Sequence, residues 1–437
     1  MRFRVVFCAL LCLALTACEG LRPTPESELP TPIPTLLSPT PTPTPVPELQ
    51  PMIVTLGLWL PEELNPYAEG PGAGLLAQQL DNFSEAYPDV QVEVTVKKAQ
   101  GRGGLLDFLR TARDAAPSVL PDLIVLDAAD LETAAGTGLI QPLDQILSPA
   151  EMADRFPFAT ELGTVEGQTL GFVVGADMQH LAYRPALFDS PPVSWTQIIS
   201  PPVPFLFPAG GRDRDVNDAT LIQYMAAGGE LTDPDGRPWL DKDVMVSVLG
   251  FYSDCIGTGT ISPTVALSIT DADQSWERFL AGEGEMAAVP AGRYWLETAA
   301  AEPDEEAIAA APLPTRDGYP FSIARGWVVA MVTDDPERQT LAVLLLDWLI
   351  APDHNGQWTQ TAGYLPGTQA ALRMWDASNT DRAVLRSILE AAVPAPPPEA
   401  METSGRVMQE ALVALLRRRV APERAAEAAL ESLGVGE

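Results

Sequence analysis

Histidine, cysteine and positive charge are scarce in this chain, and each shortage removes a class of function. The two histidines, His180 and His354, stand in no His-Glu-x-x-His or triad-like setting, so a zinc-hydrolase helix or a histidine-activated nucleophile has no base to use. No Gly-x-Ser-x-Gly elbow and no phosphate loop occurs either. Of the four cysteines, Cys8, Cys12 and Cys18 fall at the amino terminus and only Cys255 lies beyond it. One thiol allows no internal disulfide and no cysteine–histidine metal cluster, and it reads as a small buried hydrophobe rather than a nucleophile. Basic residues number 27 against 59 acids, for a formal charge of -32. A phosphate-binding surface needs the opposite sign, so no nucleic-acid partner is expected. Past Leu15 no apolar run reaches 18 residues; the best, Leu341-Ala342-Val343-Leu344-Leu345-Leu346-Asp347-Trp348-Leu349-Ile350, reads as a buried helix.

The amino terminus carries the first positive signal. Arg2 and Arg4 precede an almost wholly apolar stretch over residues 5–15, the length of a signal h-region and too short to span a bilayer. It runs into Leu15-Thr16-Ala17-Cys18. That tetrapeptide resembles the lipobox of bacterial lipoproteins. The resemblance implies a signal peptide over residues 1–17 and a lipidated Cys18, whose two or three acyl chains meet the requirement for stable anchoring. An ordinary signal peptide with a cysteine near its cut is the alternative. Residues 22–51 then hold eleven prolines and six threonines. Such a tract favours extended polyproline conformation and reaches roughly 90 Å at about 3.1 Å per residue. Residues 18–51 therefore read as a lipidated cysteine with a tether.

The remaining chain is too long for one comfortable core and implies two lobes. Its first part alternates strand and helix patterns: apolar residues 52–60, then Leu75, Leu76, Leu80 and Phe83 at helical spacing. Val90, Val92, Val94 and Val96 alternate as a strand, a second helix follows near Leu105, and residues 121–126 suit a buried parallel strand. This β-α-β-α-β order predicts an open, mainly parallel sheet, with ligands at the carboxyl ends of its strands. Trp59 and Asp127 stand at such ends. Helices are expected near residues 219–227, 244–253, 275–280 and 405–433, with Arg417, Arg418 and Arg419 as helix-end charges.

These segments in order resemble the extracellular solute-binding proteins of ABC importers, in the maltose-binding-protein-like group. The stretches that carry the resemblance are Tyr87-Pro88-Asp89-Val90-Gln91-Val92-Glu93-Val94, Pro121-Asp122-Leu123-Ile124-Val125-Leu126-Asp127 and Gly138-Leu139-Ile140-Gln141-Pro142-Leu143-Asp144. Tyr183-Arg184-Pro185 stands where the group commonly has Tyr-Asn-Lys, and Trp195 with Ile198 resembles the helix start that follows. Trp276, Phe279, Gly282 and Met286 resemble a further signpost, as do Gly326-Trp327 and Ala362-Gly363-Tyr364-Leu365-Pro366. No single motif is specific; the ordered series is. The resemblance implies an α/β fold of two lobes, each a mainly parallel sheet flanked by helices, joined by hinge strands and closing on a solute. The amino-terminal lobe is expected over 52–174 plus 312–352 and the carboxyl-terminal lobe over 175–311 plus 353–437. It further implies a monomer without cofactor or metal, at the outer face of the cytoplasmic membrane, that hands a sugar or oligosaccharide to ABC permease subunits and performs no catalysis. A non-sugar solute, a membrane sensor as partner, or a secreted glycoside hydrolase stay open as alternatives.

A sugar site needs acceptor-rich side chains and aromatic rings that stack on apolar C–H faces. Candidates at matching places are Trp59, Asp127, Asp177, Tyr294, Trp295, Trp327 and Tyr364. Each has a plainer reading: core for Trp59 and Trp327, a helix cap for Asp127, a surface acid for Asp177, a hinge contact for Tyr364. Of Tyr294 and Trp295 only one is expected to face the cleft, and Arg293 either binds an anionic sugar or pairs with a neighbouring acid. Trp195, Trp276 and Trp348 read as helix packing.

Overall fold

The fold was obtained as a computed structural model, which describes residues 53–200, 202–211, 215–298, 307–375, 382–417 and 420–434. The signal and tether readings, with Cys18, Arg418 and Arg419, lie outside the described residues. Alternation starts the sheet. Along β1 (Val54–Pro61), Leu56, Leu58 and Leu60 bury on one face while Trp59 turns to the other. β1 lies between β2 (Val90–Lys97) and β3 (Leu123–Asp127), parallel to both. The connecting helices Pro71–Ala86 and Leu105–Ala115 cover opposite faces, the first through Leu76, Leu80 and Phe83 against the Leu56 face, the second through Leu105 and Leu109 against the Trp59 face. A short hairpin of β4 (Thr164–Val165) and β5 (Gln168–Thr169) then leads into β6 (Phe172–Tyr183).

β6 is twelve residues long and serves two sets of neighbours. Its later residues pair with β8 (Met286–Pro290) and β9 (Ala309–Ala311), and β8 also carries the parallel two-residue strand β7 (Phe205–Leu206). Its earlier residues pair antiparallel with β10 (Ser322–Met331), which continues on to β3. β11 (Ala392–Pro394) lies parallel to the start of β10. One mixed sheet therefore runs β2-β1-β3-β10-β6-β8-β7 through both halves of the molecule. The parallel pairing of β1 with β2 and β3 is the one expected; each antiparallel pair of this mixed sheet, among the described residues, involves β6 or β10.

The helices expected in the middle are present as Asp218–Ala226, Lys242–Thr258 and Ala272–Leu280. The carboxyl-terminal helix is broken in two, Arg406–Leu416 and Pro422–Leu433. Pro422 has no N–H to continue a helix but suits the first turn of a new one. Trp195, Trp276 and Cys255 are buried, and burial pushes the Cys255 thiol up to about 12, which removes any nucleophilic role. The helix Pro352–Ala362 packs Trp358 into the core beneath Leu56 and Leu58. The apolar run at 341–350 forms the helix Pro336–Ile350, and no helix among the described residues is long and apolar enough to cross a membrane.

A buried acid locks the first half together. Asp122 is 1% exposed and accepts Gly57 N at 2.8 Å and Arg338 Nε and Nη2 at 2.7 and 2.6 Å. Arg338 also donates to Thr55 O at 2.9 Å. Residues 55, 57, 122 and 338 thus tie β1, the lead-in to β3 and the Pro336–Ile350 helix to one carboxylate. Asp122→Ala leaves the Gly57 N–H without its acceptor and the guanidinium without its partner. We expect a loss of about 2–4 kcal/mol in denaturant unfolding, below the full cost of a broken buried pair because Arg338 stays partly solvated.

Candidate functional site

Strand register assembles the site. Trp327 on β10 stands opposite Asp127 on β3 and opposite Gly175 on β6, and Arg325, two residues earlier, stands opposite Asp177. Residues two apart on a strand share a side, so β10 presents Arg325 and Trp327 together where the two halves meet. Here a cleft of about 590 Å³ is lined by Gln100, Asp127 and Glu161 from one half and by Asp215, Pro397 and Met401 from the other, with Ala324, Arg325 and Gly326 on its wall.

Asp127 ends β3 and does two things at once. Its Oδ1 accepts Ala129 N at 3.0 Å, capping the turn that follows, and its Oδ2 accepts Gln100 Nε2 at 2.8 Å. Capping and cleft-lining are therefore compatible readings of one carboxylate. Asp130, one turn on, has its carboxyl pushed up to about 6 by burial and by the charge of Asp127.

Asp177 is no surface acid. It lies on β6 with Oδ1 accepting Met178 N at 2.8 Å and Gly292 N at 2.9 Å, at the start of the Ala291–Thr298 helix. The free amides of a helix start favour a negative group there. Burial nevertheless dominates and pushes this carboxyl up to about 7, with the amide bonds lowering it and Asp273 adding a smaller raising effect. Gly292 permits the approach of the next segment: a Cβ there would lie 1.9 Å from Gly363 O. Leu365 and Ala176 then exchange two backbone bonds of 2.7 and 2.9 Å, which set Tyr364 against the crossing strand. The Tyr364 ring stacks on Trp358 with centroids 5.5 Å apart, and burial raises its phenol pKa against a lowering hydrogen bond from Trp327.

The structure thus brings Asp177, Tyr364 and Trp327 together at the crossing, with Asp127 across the strand from Trp327; of the seven candidates only Asp127 is among the residues lining the cleft. The other three aromatics are buried. Trp59 is 4% exposed and packs on Phe108, 5.0 Å away, because its face of β1 is covered by the Leu105–Ala115 helix. Tyr294 and Trp295 both turn inward against His180, at 4.6 and 4.7 Å, so neither of this pair faces solute in this conformation. His180 is itself fully buried, and burial lowers its pKa to about 3. Arg293 is held by Glu297, Asp273 and Glu277 at 2.7, 3.0 and 3.2 Å, the acid-paired alternative. Sequence reasoning missed Gln100 and Arg325. The usable signal for Arg325 was its place two residues before Trp327 in a predicted strand.

Residues 78–383 match the family described as bacterial extracellular solute-binding protein. The chain belongs to that family. Among solved structures, this solute-binding protein is similar to the cyclic alpha-maltosyl-1,6-maltose binding protein from Arthrobacter globiformis, at 18% identity and TM-score 0.65, over 87% of this chain and 98% of that one. It is likewise similar to maltose-bound T. maritima MalE3, at 20% identity and TM-score 0.65, over 87% and 99%. A third neighbour, an ABC transporter solute-binding protein from Thermotoga Lettingae TMO bound with alpha-D-tagatose, shares 21% identity with TM-score 0.64, over 87% and 98%. No curated protein matches the chain. The two-lobed α/β architecture and an extracytoplasmic place follow from family and fold.

Asp177 gives this site a pH dependence. Its folded pKa of about 7 lies above the ordinary 3.8, so its contribution to stability is full below about 4 and is lost as pH rises through 7. Asp177→Asn stays neutral and can still accept from Gly292 N. The melting temperature of the variant relative to wild type should therefore climb between pH 5 and pH 8; a constant difference across that range would refute the assignment.

Proposed function

We propose that this solute-binding protein captures a sugar or oligosaccharide between its lobes and delivers it to an ABC permease. The observation that carries the reading is the crossing of β6 and β10, which sets Trp327, Asp127, Asp177 and Tyr364 where the two halves meet. Trp327 is partly exposed and supplies an aromatic face for a sugar's C–H surface, and the Asp127 carboxylate accepts from hydroxyls. Three structural neighbours are named for maltose-type sugars or tagatose. In this reading the lobes are 52–174 with 312–352 and 175–311 with 353–437, the Pro352–Ala362 helix packing on the first. A solute touching both would shift an open–closed equilibrium toward the closed form by its differential affinity, and the monomer would dock one lobe on each permease subunit. Hydrolysis has no support in the sequence beyond the two acids Asp127 and Asp177, which serve equally as hydrogen-bonding ligands.

A second reading has one observation in its favour. Asp127, Glu132, Glu161, Glu166, Asp215 and Glu402 all line the cleft, against Arg325 as its base. That field favours a solute with an amino group, an amino sugar or a polyamine, over a neutral one.

A thermal-shift screen separates the two, since bound solute raises apparent stability by mass action. Neutral sugars should raise the melting temperature under the first reading, and only amines under the second. Trp327→Ala should weaken the sugar found by about 1–3 kcal/mol in calorimetry without loss of fold; wild-type affinity would remove Trp327 from the site.

The leader and Cys18 complete the proposal: the chain is held at the outer face of the membrane through a lipidated cysteine. Metabolic labelling with a fatty-acid analogue should mark the wild type and leave Cys18→Ser unmarked and released to the medium or periplasm. Equal labelling of the two would exclude Cys18 as the anchor.

A further inference from the structure

Arg325 lies on the cleft wall, and its geometry goes beyond charge balance. Its Nη2 and Nε donate to Asp218 Oδ1 and Oδ2 at 2.7 and 3.1 Å, a two-point fork that fixes the plane of the guanidinium. Asp218 opens the Asp218–Ala226 helix, whose start is secured by Asn217 Oδ1 accepting Thr220 N at 2.9 Å. The Asp218 side chain is 17% exposed and that of Arg325 is 47% exposed, so the anchoring acid is largely covered while the arginine stays open to solvent. Nη1 makes no hydrogen bond among the described residues. Asp127 lies close enough to raise the guanidinium's pKa, behind the larger effect of Asp218. Among the described residues each Asp127 oxygen carries a single hydrogen bond, from Ala129 or from Gln100, which leaves acceptor capacity on both.

We propose that Arg325 is a specificity-determining residue of the cleft, whose free guanidinium edge and the Asp127 carboxylate together bind one pair of adjacent solute hydroxyls. The inference rests on the cleft being the solute site and adds which groups of the solute it reads. A donor-only group beside an acceptor-only group complements two neighbouring hydroxyls, each of which gives one hydrogen bond and takes another. Lysine cannot substitute, because it lacks the planar fork that Asp218 holds in place.

The test starts with glucose, galactose, tagatose, maltose and trehalose in thermal shift, and takes the tightest binder into calorimetry with its set of monodeoxy analogues. In wild type, one adjacent pair of hydroxyls should each matter by about 10- to 100-fold in Kd, the size expected of a hydrogen bond to a charged group. Arg325→Gln should lose a similar factor against the parent sugar and, beyond that, no longer distinguish those two deoxy analogues; Arg325→Lys should restore neither. Asp218→Asn keeps the guanidinium and loosens its fork. It should blunt the same discrimination, and it serves in place of Arg325→Gln if that variant does not fold. Penalties that simply add in the variants would overturn the role of Arg325 while leaving the cleft as the sugar site. Failure of every sugar to shift the wild type would overturn that reading of the cleft and the inference with it.

Discussion

The pairing of β6 with β10 is the constraint on which the rest of this molecule depends. At twelve and ten residues both strands are longer than the other strands they pair with, and each spends part of its length on either side. Because both cross, one sheet runs through the molecule and the lobes are joined by hydrogen-bonded backbone rather than by loose linkers. The bulge at Trp327 and Val328 falls within this pairing. A bulge strengthens local twist and re-aims the side chains beside it. Here the skipped residue is Val174 on β6, opposite the step from Trp327 to Val328 and two residues past Arg325 on the cleft wall. Sheet and crossing are therefore one feature.

Much of the architecture was legible beforehand, and for identifiable reasons. The first half follows a β-α-β-α-β order with alternating valines and helical leucine spacing, so both element type and parallel pairing were available from pattern alone. The crossing strands were not. Antiparallel pairing of residues 172–178 with 324–329 joins segments about 150 positions apart, and no local periodicity reports such a contact. The break before Pro422 is plain in retrospect, because proline's missing N–H outweighed the alanine-rich helical pattern around it.

The site was legible in part. Asp127, Asp177, Trp327 and Tyr364 gather at the crossing, yet the aromatic character that singled out Trp59, Tyr294 and Trp295 is also what makes them good core residues. An indole fills a lobe interior as readily as it stacks on a sugar, and what packs on it decides: the Leu105–Ala115 helix over Trp59, and His180 of β6 against Tyr294 and Trp295. Arg325 shows the reverse failure. A lone arginine in an acidic chain looks like charge balance until the strand register places it beside Trp327.

The carboxylate of Asp177 has a consequence for which solutes can compete for the cleft. A helix start offering free amides is a natural seat for a phosphate, a sulfate or a carboxylate. In this protein that seat is taken by a group belonging to the chain itself, held by Gly292 and Met178 amides. A free anion would have to evict a competitor that can never diffuse away. The fold in this way closes the anion receptor at this helix start from within.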